Sequence, residues 1–415
     1  MTTSEARGPR VARALFASGL LVAAAALLPL PRGCDAREVV PPELPADEYA
    51  KLLRHANTHT RAEIEAAFRL VDPESGLAAH YTLDDQVLSI RREPGEAPVR
   101  IALRSEPRAT PRSPGARDRI ALDPGHFGGA WSVRENRHIV QAGGQPVREG
   151  DLSWATTRLI ADDLKRAGKT VALTRDPPPA APYPAFADPG FDLEREAAYR
   201  LVEQRPHVFP WLTPLNAIRL VAARRDLVNE TPFELYQRFD LRRRAAVATA
   251  FAADVTLSLH FNTTENDGNG IVVFVPGNFL PEDFATATQR YWAFARVLDG
   301  TLMESTRLAR ALAAAMMKHL KLPALGREDD HTTGGYWRAI DREHGVYARN
   351  LAILRRTAGI VLLLEGPCVN QTEEYQRLQA TDLLIDGRPH PQRLRAYADA
   401  VVEGLTRDET SLSRR

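Results

Sequence analysis

At 415 residues with 44% hydrophobic content, the chain is long enough for one large core and a smaller module, which excludes a disordered or fibrous protein. Its 54 basic and 53 acidic residues nearly cancel, so no global field recruits nucleic acid or anionic lipid, and any polymeric partner is recognised locally. Cys34 and Cys368 are the two cysteines, too few for a fold that depends on disulfides.

The first segment reads as an export signal. Arg7, Arg10 and Arg13 precede the small and apolar run Ala14 to Leu28, too short to span a bilayer comfortably and ended by Pro29, Pro31, Arg32 and Gly33. Cleavage after Ala36 and lipidation at Cys34 are its two expected outcomes, so 1–36 is assigned as signal peptide. The chain is expected in the periplasm or cell envelope, with a membrane attachment only if Cys34 is lipidated.

Residues 37–106 form a small accessory α+β module. Asp47 to Ala56 and Thr60 to Leu70 are predicted helices, the second opened by a Thr60-Arg-Ala-Glu63 capping box. Tyr81 and Leu83, Leu88 and Ile90, then Val99, Ile101 and Leu103 alternate with polar neighbours as half-buried strands do. A Pro, Arg and Ser linker, 107–116, follows.

From 117 to 408 the pattern becomes apolar strands separated by helices. Ile120 to Leu122, Val171 to Thr174, Val255 to Leu259, Ile271 to Val275 and Ile360 to Leu364 suit strands covered on both faces. Leu152, Ala155, Leu159, Ile160 and Leu164 share one helical face that ends at Gly168, with Asp151 expected as its cap, and Leu308, Leu312, Ala315 and Met316 share another. The predicted fold is α/β: a twisted, mostly parallel sheet flanked by helices. A Pro-rich insertion occupies 177–240, becoming helical near Leu215 to Arg225 and Phe233 to Arg238. A second, within 276–345, ends in the polar, Gly-rich loop Asp329 to Trp337. Long ordered loops over a sheet serve as lids, binding walls or peripheral decoration.

Four residues at the ends of apolar runs stand out: His126 after Asp123-Pro-Gly, Glu149, His260 after Val255 to Leu259, and Glu365 after Val361-Leu-Leu-Leu. In an open α/β sheet ligands bind beyond the carboxyl ends of the strands. His126, His260 and Glu365 then face one rim, and Glu149, at the start of a helix that follows a strand, reaches it too. Two imidazoles and a carboxylate suit a zinc ion with one open position, while a second carboxylate handles protons. A carboxylate directly after Val361-Leu-Leu-Leu has to be paired or functional to offset its desolvation. His138, His207, His319, His344 and His390 have no strand-end partner. His331, with Asp329 and Asp330, is read as part of a polar loop.

In order and composition, Leu122-Asp-Pro-Gly-His126, Arg148-Glu149-Gly-Asp-Leu152 through Thr174-Arg175-Asp176, Leu241-Arg-Arg-Arg244 through Ala253 to Asn262, and Leu351 to Arg355 through Leu364-Glu365-Gly366 to Asn370 resemble the zinc-dependent N-acetylmuramoyl-L-alanine amidases. The resemblance spans 119 to about 380 and excludes the N-terminal module. It implies Zn2+ held by His126, Glu149 and His260, Glu365 as catalytic acid/base, and peptidoglycan as substrate, with room for a protein activator. Phe127 replaces the glycine usual after the first histidine, and the loop from His126 to Glu149 is longer than usual. That loop makes Glu135 a competitor for the carboxylate ligand; Glu149 is preferred because the helix after it matches the family's. The alternatives are a zinc peptidase cutting within the stem peptide and a non-catalytic wall-binding protein on an amidase scaffold, although neither a lost ligand nor a lost Glu365 is seen.

Overall fold

The structure, a computed structural model, describes residues 49–92, 95–106, 117–175, 191–204, 214–264, 268–326 and 336–413. The export signal, Cys34, the 107–116 linker, the opening of the Pro-rich insertion and the Asp329–His331 cluster lie outside the described residues. Among the described residues no helix is long and apolar enough to cross a membrane.

The chain divides into two compact units. One comprises the described part of 188–239, within the predicted insertion. Its helices Leu193–Gln204 and Pro214–Ala223, with the first turns of Pro232–Ala250, enclose a small core of Ala197, Ala198, Leu201, Ala217, Leu220, Val221, Val228 and Leu235.

The other unit holds everything else. Its N-terminal part begins with a short helical segment through Leu52–His55 and the helix Arg61–Val71, whose capping box forms as expected: Thr60 Oγ1 accepts the Glu63 N–H while a Glu63 carboxylate oxygen accepts the Thr60 N–H. The strands β1 (Tyr81–Leu83), β2 (Val87–Ile90) and β3 (Val99–Ala102) make an antiparallel sheet. This segment is not packed on itself alone. Ile64, Phe68, Leu88, Ile90 and Ile101 share one core with Phe279, Phe284, Phe294 and Leu298 from the helix Ala287–Asp299 and the turn before it. Composition therefore marks a linker at 107–116, but buried apolar surface binds the two sides together.

The remaining strands are β4 (Arg119–Pro124), β5 (His138–Ile139), β6 (Val147–Arg148), β7 (Thr170–Leu173), β8 (Val255–Phe261), β9 (Val272–Pro276), β10 (Trp337–Asp341), β11 (Val346–Arg349), β12 (Ile360–Gly366), β13 (Leu383–Ile385) and β14 (Arg388–His390). Seven of them form the central sheet in the order β10-β11-β9-β12-β8-β4-β7. β7, β4, β8 and β12 run parallel; β9 and β11 are parallel to each other and opposed to β12, and β10 closes the edge against β11. The expected mostly parallel α/β sheet is thus present, with β10 and β11 added at an edge that no predicted strand marks.

Strand alternation divides the unit's interior. Ile360, Leu362 and Leu364 enter one large core with Val273, Val275 and the helices Glu149–Arg166, Leu302–Leu320 and Arg393–Ser413. Val361 and Leu363 enter the opposite core with Val272, Phe274, Trp337, Tyr347 and Ala245. β8 alternates differently: Val255, Leu257 and Leu259 join the first core, whereas Thr256, Ser258 and His260 present a polar row on the other face.

Candidate metal centre

The site grows from sheet register. Glu365 on β12 pairs directly with His260 on β8, so both side chains stand on the same face of neighbouring strands. On the other side of β8, Pro124 of β4 pairs with Leu259, and the Gly125 N–H donates to the Leu259 carbonyl at 2.8 Å. That extension brings Gly125 under the His260 ring. A Cβ there would lie 2.5 Å from the imidazole, a distance real Cβ contacts do not show, so Gly125 is required by close approach. Gly125→Ala is expected to displace His260 and lose most metal affinity while the far-ultraviolet circular dichroism stays native. Wild-type affinity in that variant would contradict the packing argument.

His126 follows with φ +49°, a left-handed backbone that turns its ring back over the sheet. The loop beyond it makes one short helix, Trp131–Arg134, then the β5–β6 hairpin, which delivers Glu149. The Glu149 N–H donates to the Arg137 carbonyl at 3.2 Å, so the helix starts at Glu149, two residues before the expected cap. Asp151 does not cap it; its carboxylate accepts the Gly129 N–H at 3.0 Å. Gly150 admits no side chain, because a Cβ would meet the Phe127 carbonyl at 2.2 Å.

These constraints bring His126, Glu149 and His260 together. One ligand atom from each lies within 4.8 Å of the others. Glu149 Oε1 is 3.2 Å from His260 Nδ1 and 3.4 Å from His126 Nε2, and it accepts the Phe261 N–H at 3.1 Å. The two rings meet edge to face with centroids 4.8 Å apart. Arg137, which no sequence pattern singles out, places Nε 3.1 Å from Glu149 Oε2 and 3.2 Å from His126 Nε2. Glu135, the rival carboxylate, approaches the other side of the His126 ring, with Oε1 3.5 Å from Nδ1.

Burial sets the protonation. It lowers His260 to about 4, against the pull of Glu365. It also lowers His126, which Glu149 and Glu135 partly restore. Both rings are therefore neutral at pH 7, the form that ligates a cation. Burial pushes Glu365 up to about 7; His260 opposes the rise and Glu149 adds to it. Glu365 Oε2 is buried with no hydrogen-bond partner among the described residues.

Beneath the histidines lies a second constellation. Asp123, fully buried, accepts two bonds from Arg244 at 2.7 and 2.5 Å and one from Ser258 at 2.6 Å, and Thr174 donates to it as well. Arg244 belongs to the helix Pro232–Ala250, longer than the predicted Phe233 to Arg238 because this buried pairing carries it past Leu241-Arg-Arg. Arg175 pairs with Asp240, donates to the His126 carbonyl, and lies 4.4 Å over the Phe127 ring, which fills the position usually given to glycine. The alternation Thr256, Ser258, His260 was the available signal that one face of β8 is polar. Of the five histidines left without a strand-end partner, His319 and His344 contact Glu403 and Asp341.

The fold is an α/β domain in which His126, Glu149 and His260 form a group that could hold a metal ion, beside the buried carboxyl of Glu365. Residues 217–386 match the Amidase_3 family model, described as N-acetylmuramoyl-L-alanine amidase. That stretch contains His260 and Glu365; His126 and Glu149 lie before it and join them in space. No curated protein matches the chain. Among solved structures the chain is similar to the N-acetylmuramyl-L-alanine amidase Ami1 from Mycobacterium smegmatis, at 16% identity and a TM-score of 0.39, over 71% of this chain and 98% of that one. It is also similar to the CwlD amidase from Clostridioides difficile in complex with the GerS lipoprotein, at 15% identity and 0.39 over 71% and 99% of the two chains. The amidase AmiC2 of Nostoc punctiforme gives 15% and 0.35 over 72% and 98%.

Proposed function

We propose that this amidase is zinc-dependent, with His126, Glu149 and His260 as ligands and Glu365 as the acid/base, and that it cleaves the amide between the muramic acid lactyl group and L-alanine. The observation that carries the reading is donor spacing. Zinc bonds of about 2.0–2.1 Å in tetrahedral array put neighbouring donors about 3.3 Å apart, and the 3.4 and 3.2 Å separations around Glu149 Oε1 fit. Three protein donors also leave the open position of a catalytic site.

When bound, zinc supplies Lewis acidity, polarising a carbonyl oxygen and making water a competent nucleophile near neutral pH. Glu365 takes a proton from water as the new carbon–oxygen bond forms at the lactyl carbonyl. As the carbon–nitrogen bond breaks, the same carboxyl returns that proton to the L-alanine nitrogen, which departs as the amine. Its buried, unpartnered Oε2 suits it to hold that proton between the two events. The active protein is assigned to the cell envelope, the compartment of its substrate, with export by the 1–36 segment and either cleavage after Ala36 or lipidation at Cys34.

Digestion of purified wall material, followed by labelling of new amino groups, tests the reaction. New N-terminal L-alanine is expected, abolished by a chelator and restored by about one equivalent of zinc. Release of an amine from inside the stem peptide would replace the amidase with a peptidase, and undiminished turnover after complete metal removal would end the zinc assignment.

A further inference from the structure

The His126 imidazole stands between two carboxylates, one at each ring nitrogen. Nε2 faces Glu149 Oε1 at 3.4 Å, on the side shared with His260, and Nδ1 faces Glu135 Oε1 at 3.5 Å. The second oxygen of Glu135 accepts the backbone N–H of Phe127 at 2.6 Å. One carboxylate therefore grips both the ring of His126 and the peptide that follows it. The grip falls where the chain needs it: His126 has φ +49°, a conformation unfavourable for a residue with a Cβ and held only when surrounding contacts over-determine it. Glu135 sits at the end of the Trp131–Arg134 helix, and its side chain is 6% exposed.

We propose that Glu135 is the positioning carboxylate of His126: it keeps the proton on Nδ1, so that the lone pair of Nε2, which accepts from Arg137 Nε at 3.2 Å, faces the cluster and can ligate, and it sets the affinity of the site for its metal. The inference rests on the reading of His126, Glu149 and His260 as ligands. It assigns the rival carboxylate of the long loop a different task, since both of its oxygens are engaged on the far side of the ring. An imidazole that donates its remaining N–H to a carboxylate is fixed in tautomer and orientation and made more basic, and loss of such a partner weakens metal binding about 10- to 100-fold.

The experiment measures the zinc dissociation constant of the full chain by competition with a chromophoric chelator, alongside the unfolding midpoint of the metal-free protein. Glu135→Gln retains an oxygen for the Phe127 N–H and removes the charge. It is expected to weaken zinc about 10- to 100-fold with the metal-free midpoint unchanged, and Glu135→Asp to recover part of the loss. Equal affinity in wild type and Glu135→Gln, with His126→Ala abolishing binding, would overturn the role of Glu135 and leave the metal site standing. A metal-free midpoint that falls in both Glu135 variants together with the affinity would also overturn it, because the contact would then be structural. Zinc bound as tightly by His126→Ala as by wild type would instead overturn the ligand assignment.

Discussion

Glu365→Gln is expected to lower kcat by about 10²- to 10⁴-fold, the usual contribution of a positioned general acid/base, while the protein still binds its metal at the wild-type stoichiometry. The substitution keeps the size of a side chain that stands beside His260 on the neighbouring strand and removes its capacity to accept a full proton. Because Glu365 is outside the cluster of His126, Glu149 and His260, the proposed ligands are left in place. Single-turnover rates with metal content measured on the same samples decide the matter. A rate within a few-fold of wild type would remove Glu365 from the chemistry, and loss of the metal would move it among the ligands.

Arg244→Met is expected to destabilise the protein by about 3–5 kcal/mol, the cost of leaving a buried charge without its partner. Asp123 is fully buried and draws two hydrogen bonds from Arg244, so the variant retains the acid and loses its cation. Burial alone would raise the Asp123 carboxyl, but Arg244, Ser258 and Thr174 outweigh it and hold the group below the usual carboxylate range. A depressed folded-state value contributes stability above the unfolded value of about 3.9 that is lost as pH falls through the folded one. Wild type should thus weaken in acid, and replacing both partners, as in Asp123→Leu with Arg244→Met, should cost less than Arg244→Met alone. Urea unfolding at pH 7 and at a pH below the unfolded value of about 3.9 checks both expectations. A single variant as stable as wild type would show that the pair is not holding the turn before His126.

Local patterning carried much of this protein. The central strands β4, β7, β8, β9 and β12 lie where apolar runs of three to five residues predict them, because a strand covered on both faces needs little besides continuous hydrophobicity. The closing glycine of the helix Glu149–Arg166 was legible for the same local reason, whereas its start was not, since Asp151 does not cap it. The β10–β11 hairpin was not legible. Trp337 follows a polar, Gly-rich stretch, and only its packing against Phe274 and Tyr347 makes that region a sheet edge. Arg137 likewise shows no signal, since its partners Glu149 and His126 are fixed by the hairpin that follows it.

Residue chemistry and chain order, a property of the sequence alone, determined that His126, His260 and Glu365 end or follow strands of one α/β sheet. Tertiary structure decided which carboxylate meets which nitrogen. Glu135 and Glu149 are the same residue type on one stretched connection, and in the sequence only the helix that follows Glu149 favours it. What separates them is the β5–β6 hairpin and the helix it feeds, which turn Glu149 toward His260 and leave Glu135 behind the His126 ring. The same holds for Asp123 and Arg244, distant along the chain and joined because β4, β8 and the covering helix exclude water around an ion pair that would be weak outside that enclosure.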